Sequence, residues 1–291
     1  MLTKYCLGLL VGRTDLWAVK TARRDRRLTL MKTQRCALAS SIASPHAEQL
    51  LAGIRTLALE PRPSLTLQVA LPDPATAIGI FDFKRLPSGR TARADLLRLR
   101  FEDEYGIPAA DTSVAYQPIK SASGGTRLFA VAASRLWLDP LQQALREAGH
   151  VASAVDAASC FRFNLLRLTV NPSSGGALLT VEGDYWSLMV WRSGPCLSAV
   201  HGKWRINAAD SDLESIAAEA LRWLRCVLSA SSQEPFGCLY LAAATDELEP
   251  LQAACEARLS VTVSPFPVQW SMGQVRHQAP PLAAVAVALA R

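Results

Sequence analysis

Histidines and cysteines are the residues that would announce a metal centre or a covalent enzyme, and their spacing here argues against both. His46, His150, His201 and His277 each stand alone. Cys6, Cys36, Cys160, Cys196, Cys226, Cys238 and Cys255 contain no C-x-x-C pair, and no histidine stands at ligand spacing beside them. A zinc site is therefore not expected. The thiols read as small buried hydrophobes of a reducing compartment. His150 follows a helix-terminating glycine, the setting of a surface residue rather than a general base. No G-x-S-x-G, P-loop or G-x-G-x-x-G is present. Gly124-Gly125 reads as a hairpin turn, and Thr14, Asp15, Asp184 and Ser187 read, taken alone, as turn residues.

The composition sets the frame for these residues. The chain has 291 residues, half of them apolar and 19% charged, which is globular rather than disordered usage. Its net charge of +6 permits an acidic partner or an anionic membrane surface without requiring either. Basic residues are spread along the chain with no aromatic-interleaved stripe, so nucleic-acid binding is not expected. The apolar run at residues 5–11 is cut by glycine and lacks a small-residue cleavage site, unlike a signal peptide. The run at 282–290 falls short of the roughly 20 apolar residues of a membrane span. The expectation is a cytoplasmic protein, held at a membrane only through partners.

Alternation predicts three strands in the first forty residues, at 5–11, 16–21 and 28–36, with a charged arginine tip at 23–27. A helix carrying Leu50, Leu51, Ile54 and Leu57 follows, opened by Ser44-Pro45. A strand at 65–71 ends at Pro72-Asp73-Pro74. Residues 75–135 differ in texture: a strand, a charged helix over 91–105 closed by Gly106, then a hairpin at 114–119 and 128–133. Asp139-Pro140 reads as the start of a helix that Gly149 ends. A short strand at 151–155 and a helix at 157–168 lead to the Asn-Pro-Ser-Ser-Gly-Gly segment at 171–176, the strongest linker signal in the chain. Beyond it the opening recurs, with strands at 177–181, 186–192 and 196–201. A helix then begins with the Ser211/Glu214 capping box. A strand at 238–243, a helix at 248–259, a strand at 260–263 and an apolar segment at 282–290 complete the chain. The fold class is α/β and duplicated: residues 1–171 form one lobe, with a small α+β subdomain inserted at about 75–135, and 176–291 form a second.

Two lobes that each open on a three-stranded meander resemble the actin/Hsp70/sugar-kinase superfamily. Gly8-Leu9-Leu10-Val11-Gly12-Arg13-Thr14-Asp15 aligns with that superfamily's first phosphate loop, and Thr180-Val181-Glu182-Gly183-Asp184 with its second. Residues 239–244 lie where a strand and a Gly-Gly turn sit beside the adenosine. Within the superfamily the chain is similar to the PilM family of type IV pilus assembly proteins and its MSHA-pilus counterpart. That similarity rests on the helix over 96–108 ending in Tyr-Gly-Ile-Pro, on Phe129-Ala-Val-Ala-Ala-Ser134, on Glu147-Ala-Gly149 and on Ala154-Val155-Asp156. It covers nearly the whole chain as an order of elements rather than as invariant motifs.

The resemblance implies where the chemistry would sit, and the residues there depart from it. The nucleotide cleft would be built from Gly8, Gly12, Thr14, Thr180, Glu182 and Ala243. Leu10 stands where the first loop has its metal-holding Asp, and Thr180 where the second has its own. Leucine cannot coordinate magnesium, and hard cations need oxygen ligands. Glu182 replaces a loop glycine with a group that repels phosphate, and Ala243 and Ala244 replace the adenosine-side glycines. Asp15 and Asp184 lie several residues away and are expected to point elsewhere. The expectation is a pseudo-ATPase: no catalytic residues, no metal, and no required cofactor, with weak ATP binding left open.

The resemblance further implies a scaffold that holds the cytoplasmic N-terminal tail of a single-span inner-membrane protein of the PilN kind. The groove for that tail would lie between residues 75–135 and the first lobe. Contact with other pilus or secretion components, and with further copies of the chain, is open. The secretion protein GspL has a similar domain that continues into a membrane span, and the end at Arg291 is expected to set this chain apart from it. The alternatives are a divergent ATPase or sugar kinase of the same superfamily, and an unrelated α/β binding module.

Overall fold

The computed structural model describes residues 4–12, 14–24, 27–38, 46–59, 66–119, 125–170, 175–182, 185–191, 196–203, 213–229, 236–243, 245–267 and 271–272. The alternating opening segment forms β1 (Lys4–Val11), β2 (Asp15–Arg24) and β3 (Arg27–Ala37). α1 (Ala47–Thr56) and β4 (Thr66–Leu71) follow, and a single 3-10 turn at Asp73–Ala75 leads out of that strand. The next segment holds β5 (Thr76–Phe83), α2 (Arg90–Tyr105), β6 (Thr112–Ile119) and β7 (Thr126–Ser134). α3 (Arg135–Glu147), β8 (Ala152–Ala157) and α4 (Ala158–Thr169) then lead to the second meander. That meander is β9 (Gly175–Glu182), β10 (Tyr185–Trp191) and β11 (Cys196–Lys203). Last come α5 (Leu213–Ser229), β12 (Phe236–Ala242), α6 (Thr245–Glu256), β13 (Thr262–Pro265) and β14 (Ser271–Met272).

The duplication is written in the strand order. The first sheet runs β14-β3-β2-β1-β4-β8 and the second β11-β10-β9-β12-β13. In both, the first three strands of the half are antiparallel neighbours, a fourth joins the first in parallel, and a fifth joins the fourth in parallel. Parallel neighbours need crossover helices, which α1, α3, α5 and α6 supply. β14 breaks the separation by sequence halves: Ser271 and Met272 pair in parallel with Thr29 and Leu30 on the first sheet.

Most helices bury one stripe, whereas the central strands are buried along nearly their whole length. Leu7, Leu9 and Val11 of β1 pack under Leu50 and Ile54 of α1 and Leu141 and Leu145 of α3. Leu179 and Val181 of β9 pack under Ile216, Leu221 and Leu224 of α5 and Leu251 of α6. Side chains of this kind each contribute roughly 1.5–3 kcal/mol when fully buried. α4 is apolar on nearly every side and lies between the sheets: Cys160, Phe163 and Leu166 meet Leu178, Met189 and Trp191 of the second sheet and Ile78 of β5. The three-stranded sheet β5-β7-β6 has two buried faces. Its Phe81 and Ala130 pack on Leu97 and Phe101 of α2, while Ile78, Ile80 and Val131 face the α4 cluster. The Phe81 and Phe101 rings meet edge to face at 5.1 Å.

Several local expectations are corrected. α3 starts at Arg135, with Ser134 as its N-cap, so Asp139 and Pro140 lie inside the helix. Trp137 is buried with Leu141, Ala144 and Leu145, and that stripe carries the helix back past the proline. Pro140 frees the Leu136 carbonyl, which water can satisfy because Leu136 is 60% exposed. α1 has His46 as N-cap with no side-chain cap bond. Ser44-Pro45, Ser211, the Gly124 turn, the linker at 171–174 and the segment 282–290 lie outside the described residues. His150 is buried, not exposed: its N–H donates to Leu145 O at 2.8 Å, and burial pulls its pKa below the ordinary value. Among the described thiols Cys160 and Cys255 are buried, Cys6, Cys36 and Cys238 are half-buried, and Cys226 is exposed on α5.

Candidate functional site at the strand ends

In open parallel sheets, ligands bind beyond the carboxyl ends of the strands, where the strand order reverses. Here those points are the ends of β1 and β4 and, in the second sheet, of β9 and β12. The β1–β2 turn is tight. The Gly12 N–H donates to Asp15 O at 2.8 Å, and a Cβ on Gly12 would fall 2.6 Å from Asp15 Oδ1. Only glycine fits there. The Asp15 carboxylate accepts from Trp17 Nε1 at 2.9 Å and from Arg35 Nε at 2.9 Å, and the Arg35 guanidinium lies over the Trp17 ring. Asp15 therefore braces the meander. Thr14 is exposed, and its carbonyl accepts the Leu38 N–H. Gly8 lies inside β1, registered with Val19 and Gln68, and Leu10 is buried between Trp17 and Ala70.

On the second sheet, Thr180 is buried in β9 between Ser187 of β10 and Ala242 of β12. Glu182 pairs with Tyr185 at the end of the same strand. The Glu182 side chain, Arg13, Gly183, Asp184 and Ala244 lie outside the described residues. Ala243 follows β12 and is partly buried. The structure thus brings Thr180 and the β12 end together in adjacent registers, and sets Gly12 and Thr14 in one turn with Gly8 further back along β1.

Three polar residues at these strand ends were not singled out from sequence. Asp73, just past β4, accepts the Ser159 N–H at 2.9 Å and a bond from Arg162 Nη1 at 3.1 Å. The Arg162 side chain is 1% exposed and that of Asp73 9%. Ser159 stands in the first turn of α4, so the carboxylate also sits at the positive end of that helix. Near the end of β8, registered with Ala70 of β4, Asp156 accepts the Ala157 N–H at 2.8 Å. Burial pushes its pKa up, while the Ala157 N–H and the Cys160 thiol pull the other way. The signals for these residues were an aspartate between two prolines at a strand end and a single arginine in the apolar stretch Cys-Phe-Arg-Phe. Each described carboxylate at this end of the first sheet is thus engaged by donors of the chain itself. Among the described residues no group of three or more His, Cys, Asp or Glu could hold a metal ion. No helix among them is long and apolar enough to cross a membrane.

No protein-family model and no curated protein matches the chain. Solved structures do match, by shape. The chain is similar to a PilM–PilN type IV pilus biogenesis complex, with a TM-score of 0.67, 17% identity and coverage of 98% of this chain and 97% of the other. It is similar to a Bacteroides thetaiotaomicron protein of unknown function with an actin-like ATPase fold, with a TM-score of 0.57, 12% identity and 90% of each chain covered. The cytoplasmic domain of EpsL, an inner-membrane component of the Vibrio cholerae type II secretion system, matches with a TM-score of 0.51, 13% identity and coverage of 100% and 96%. These likenesses establish the fold alone: the chain is an α/β protein with an actin-like ATPase fold.

Proposed function

We propose that the chain is a non-catalytic scaffold of a pilus or secretion machine that works on the cytoplasmic side of the inner membrane. Its proposed partner is the short cytoplasmic tail of a single-span membrane protein, of the kind that PilN is to PilM. The observation that carries the non-catalytic part is how the strand ends are used. The Ser159 amide in the first turn of α4 is already bonded to the Asp73 carboxylate, and the Gly12 N–H is bonded to the Asp15 carbonyl. Asp15 is tied to Trp17 and Arg35, and Leu10 offers no oxygen to a hard cation. Residues of these types do not suit magnesium-bound nucleotide. The likeness to the PilM–PilN complex and to the EpsL cytoplasmic domain supports the scaffold part.

The test is capture from detergent-solubilised membranes with the tagged chain, followed by titration of a synthetic peptide copied from the captured protein's cytoplasmic tail. The reading expects a single-span pilus or secretion protein whose tail peptide binds saturably. Recovery of soluble proteins alone, or a tail peptide without binding, contradicts it.

A further inference from the structure

Away from the strand ends, a hollow of about 50 Å3 opens on the first sheet beside the end of α1, with Leu7, Ala18 and Leu59 among its lining. Lys20 and Lys32 stand on its wall and face each other directly across β2 and β3. Like charges in that register repel, and among the described residues neither lysine has a carboxylate partner. Met31, 52% exposed, lies next to Lys32. Lys20 Nζ lies 5.8 Å from the Tyr5 ring centroid, which engages part of one charge, but the repulsion across the pair is left for an apolar group flanked by carboxylates to relieve.

The same chain carries such a group. Leu97 and Phe101 turn α2 inward, which sends Leu99, 53% exposed, to the outside. Glu102 and Asp103 follow Leu99 at the next-turn positions and share its side of the helix. Both are exposed, and neither has an ion-pair partner among the described residues, whereas Asp95 and Glu104 are paired with Arg98 and Arg100. We propose that the hollow receives α2 of a second copy of this chain, with Leu99 entering it and Glu102 and Asp103 meeting Lys20 and Lys32. The two patches are different surfaces of one molecule, so each copy offers one of each. This contact is independent of the membrane partner.

Sedimentation velocity on the full chain over a concentration series into the submillimolar range tests it. The wild type is expected to self-associate, and to do so more weakly as salt rises, because exposed pairs are screened. Lys20→Gln/Lys32→Gln removes one patch and Glu102→Gln/Asp103→Asn the other, and each variant alone is expected to associate about tenfold more weakly. Mixed in equal amounts, the two retain one intact contact and should form one-to-one pairs. Lys32, Glu102 and Asp103 are exposed and Lys20 is half-buried, and unchanged circular dichroism and melting certify the fold of each variant. A wild type that stays monomeric, variants that associate like it, or a mixture that shows no pairing overturns the proposal.

Discussion

Asp156 is half-buried near the end of β8, and desolvation there lifts its folded pKa above the unfolded value of 3.8. The folded chain therefore keeps this proton to higher pH than the unfolded chain does. Its contribution to stability is complete below 3.8 and is lost as pH rises toward the folded value. Asp156→Asn keeps an acceptor for the Ala157 N–H and removes the charge. The melting temperature should gain little near pH ~4 and clearly more at neutral pH; an equal gain at both would contradict the assignment. Asp73 and Arg162 carry a larger stake. Arg162→Met leaves a buried carboxylate short of its cation and should cost about 3–5 kcal/mol in urea unfolding, whereas Asp73→Leu/Arg162→Met should recover much of that loss. None of this pairing was legible from the chain, because the partners lie 89 residues apart and nothing local to either names the other. Gly12 was legible, since a strand ending in glycine before Thr-Asp describes a turn by itself.

Elements were readable wherever burial has a clean period. The strands β9 and β10 are apolar and buried almost end to end, and the inward stripe of α5 gives its register from Ile216 to Leu224. The start of α3 was not readable: Asp139-Pro140 imitates a helix opening, while Trp137, one turn earlier, is what the core holds. β14 was missed because two residues have no period, and its pairing with β3 exists only in three dimensions. Gly176 in β9 shows how closely elements meet at the α4 seam. A Cβ there would lie 2.6 Å from Trp191 Cζ2 and 2.9 Å from the Cys238 carbonyl. Trp191 is locked between Phe163 and Tyr240, and the carbonyl is main chain. Gly176→Ala should therefore destabilise the protein by about 1–3 kcal/mol in chemical denaturation. Gly106→Ala, in the left-handed cap of α2 with open space around it, should lose only about 1 kcal/mol.

At the scale of the molecule, the actin-like strand order is present twice, and the polar groups at its first switch point are bonded to one another. The order of elements was legible because meander and crossover each leave a local signature. How the strand ends are used was only half legible: the residue types at Leu10 and Thr180 could be read directly, but the engagement of Asp15 and Asp73 required the fold. The measurement that bears most directly on this use of the strand ends, which leaves no site for magnesium-bound nucleotide, is a thermal melt of the full chain with and without magnesium-ATP. A nucleotide present at a hundred times its dissociation constant would add about 2.7 kcal/mol of stability. The account predicts superimposable melts; a magnesium-dependent rise of several degrees would contradict it.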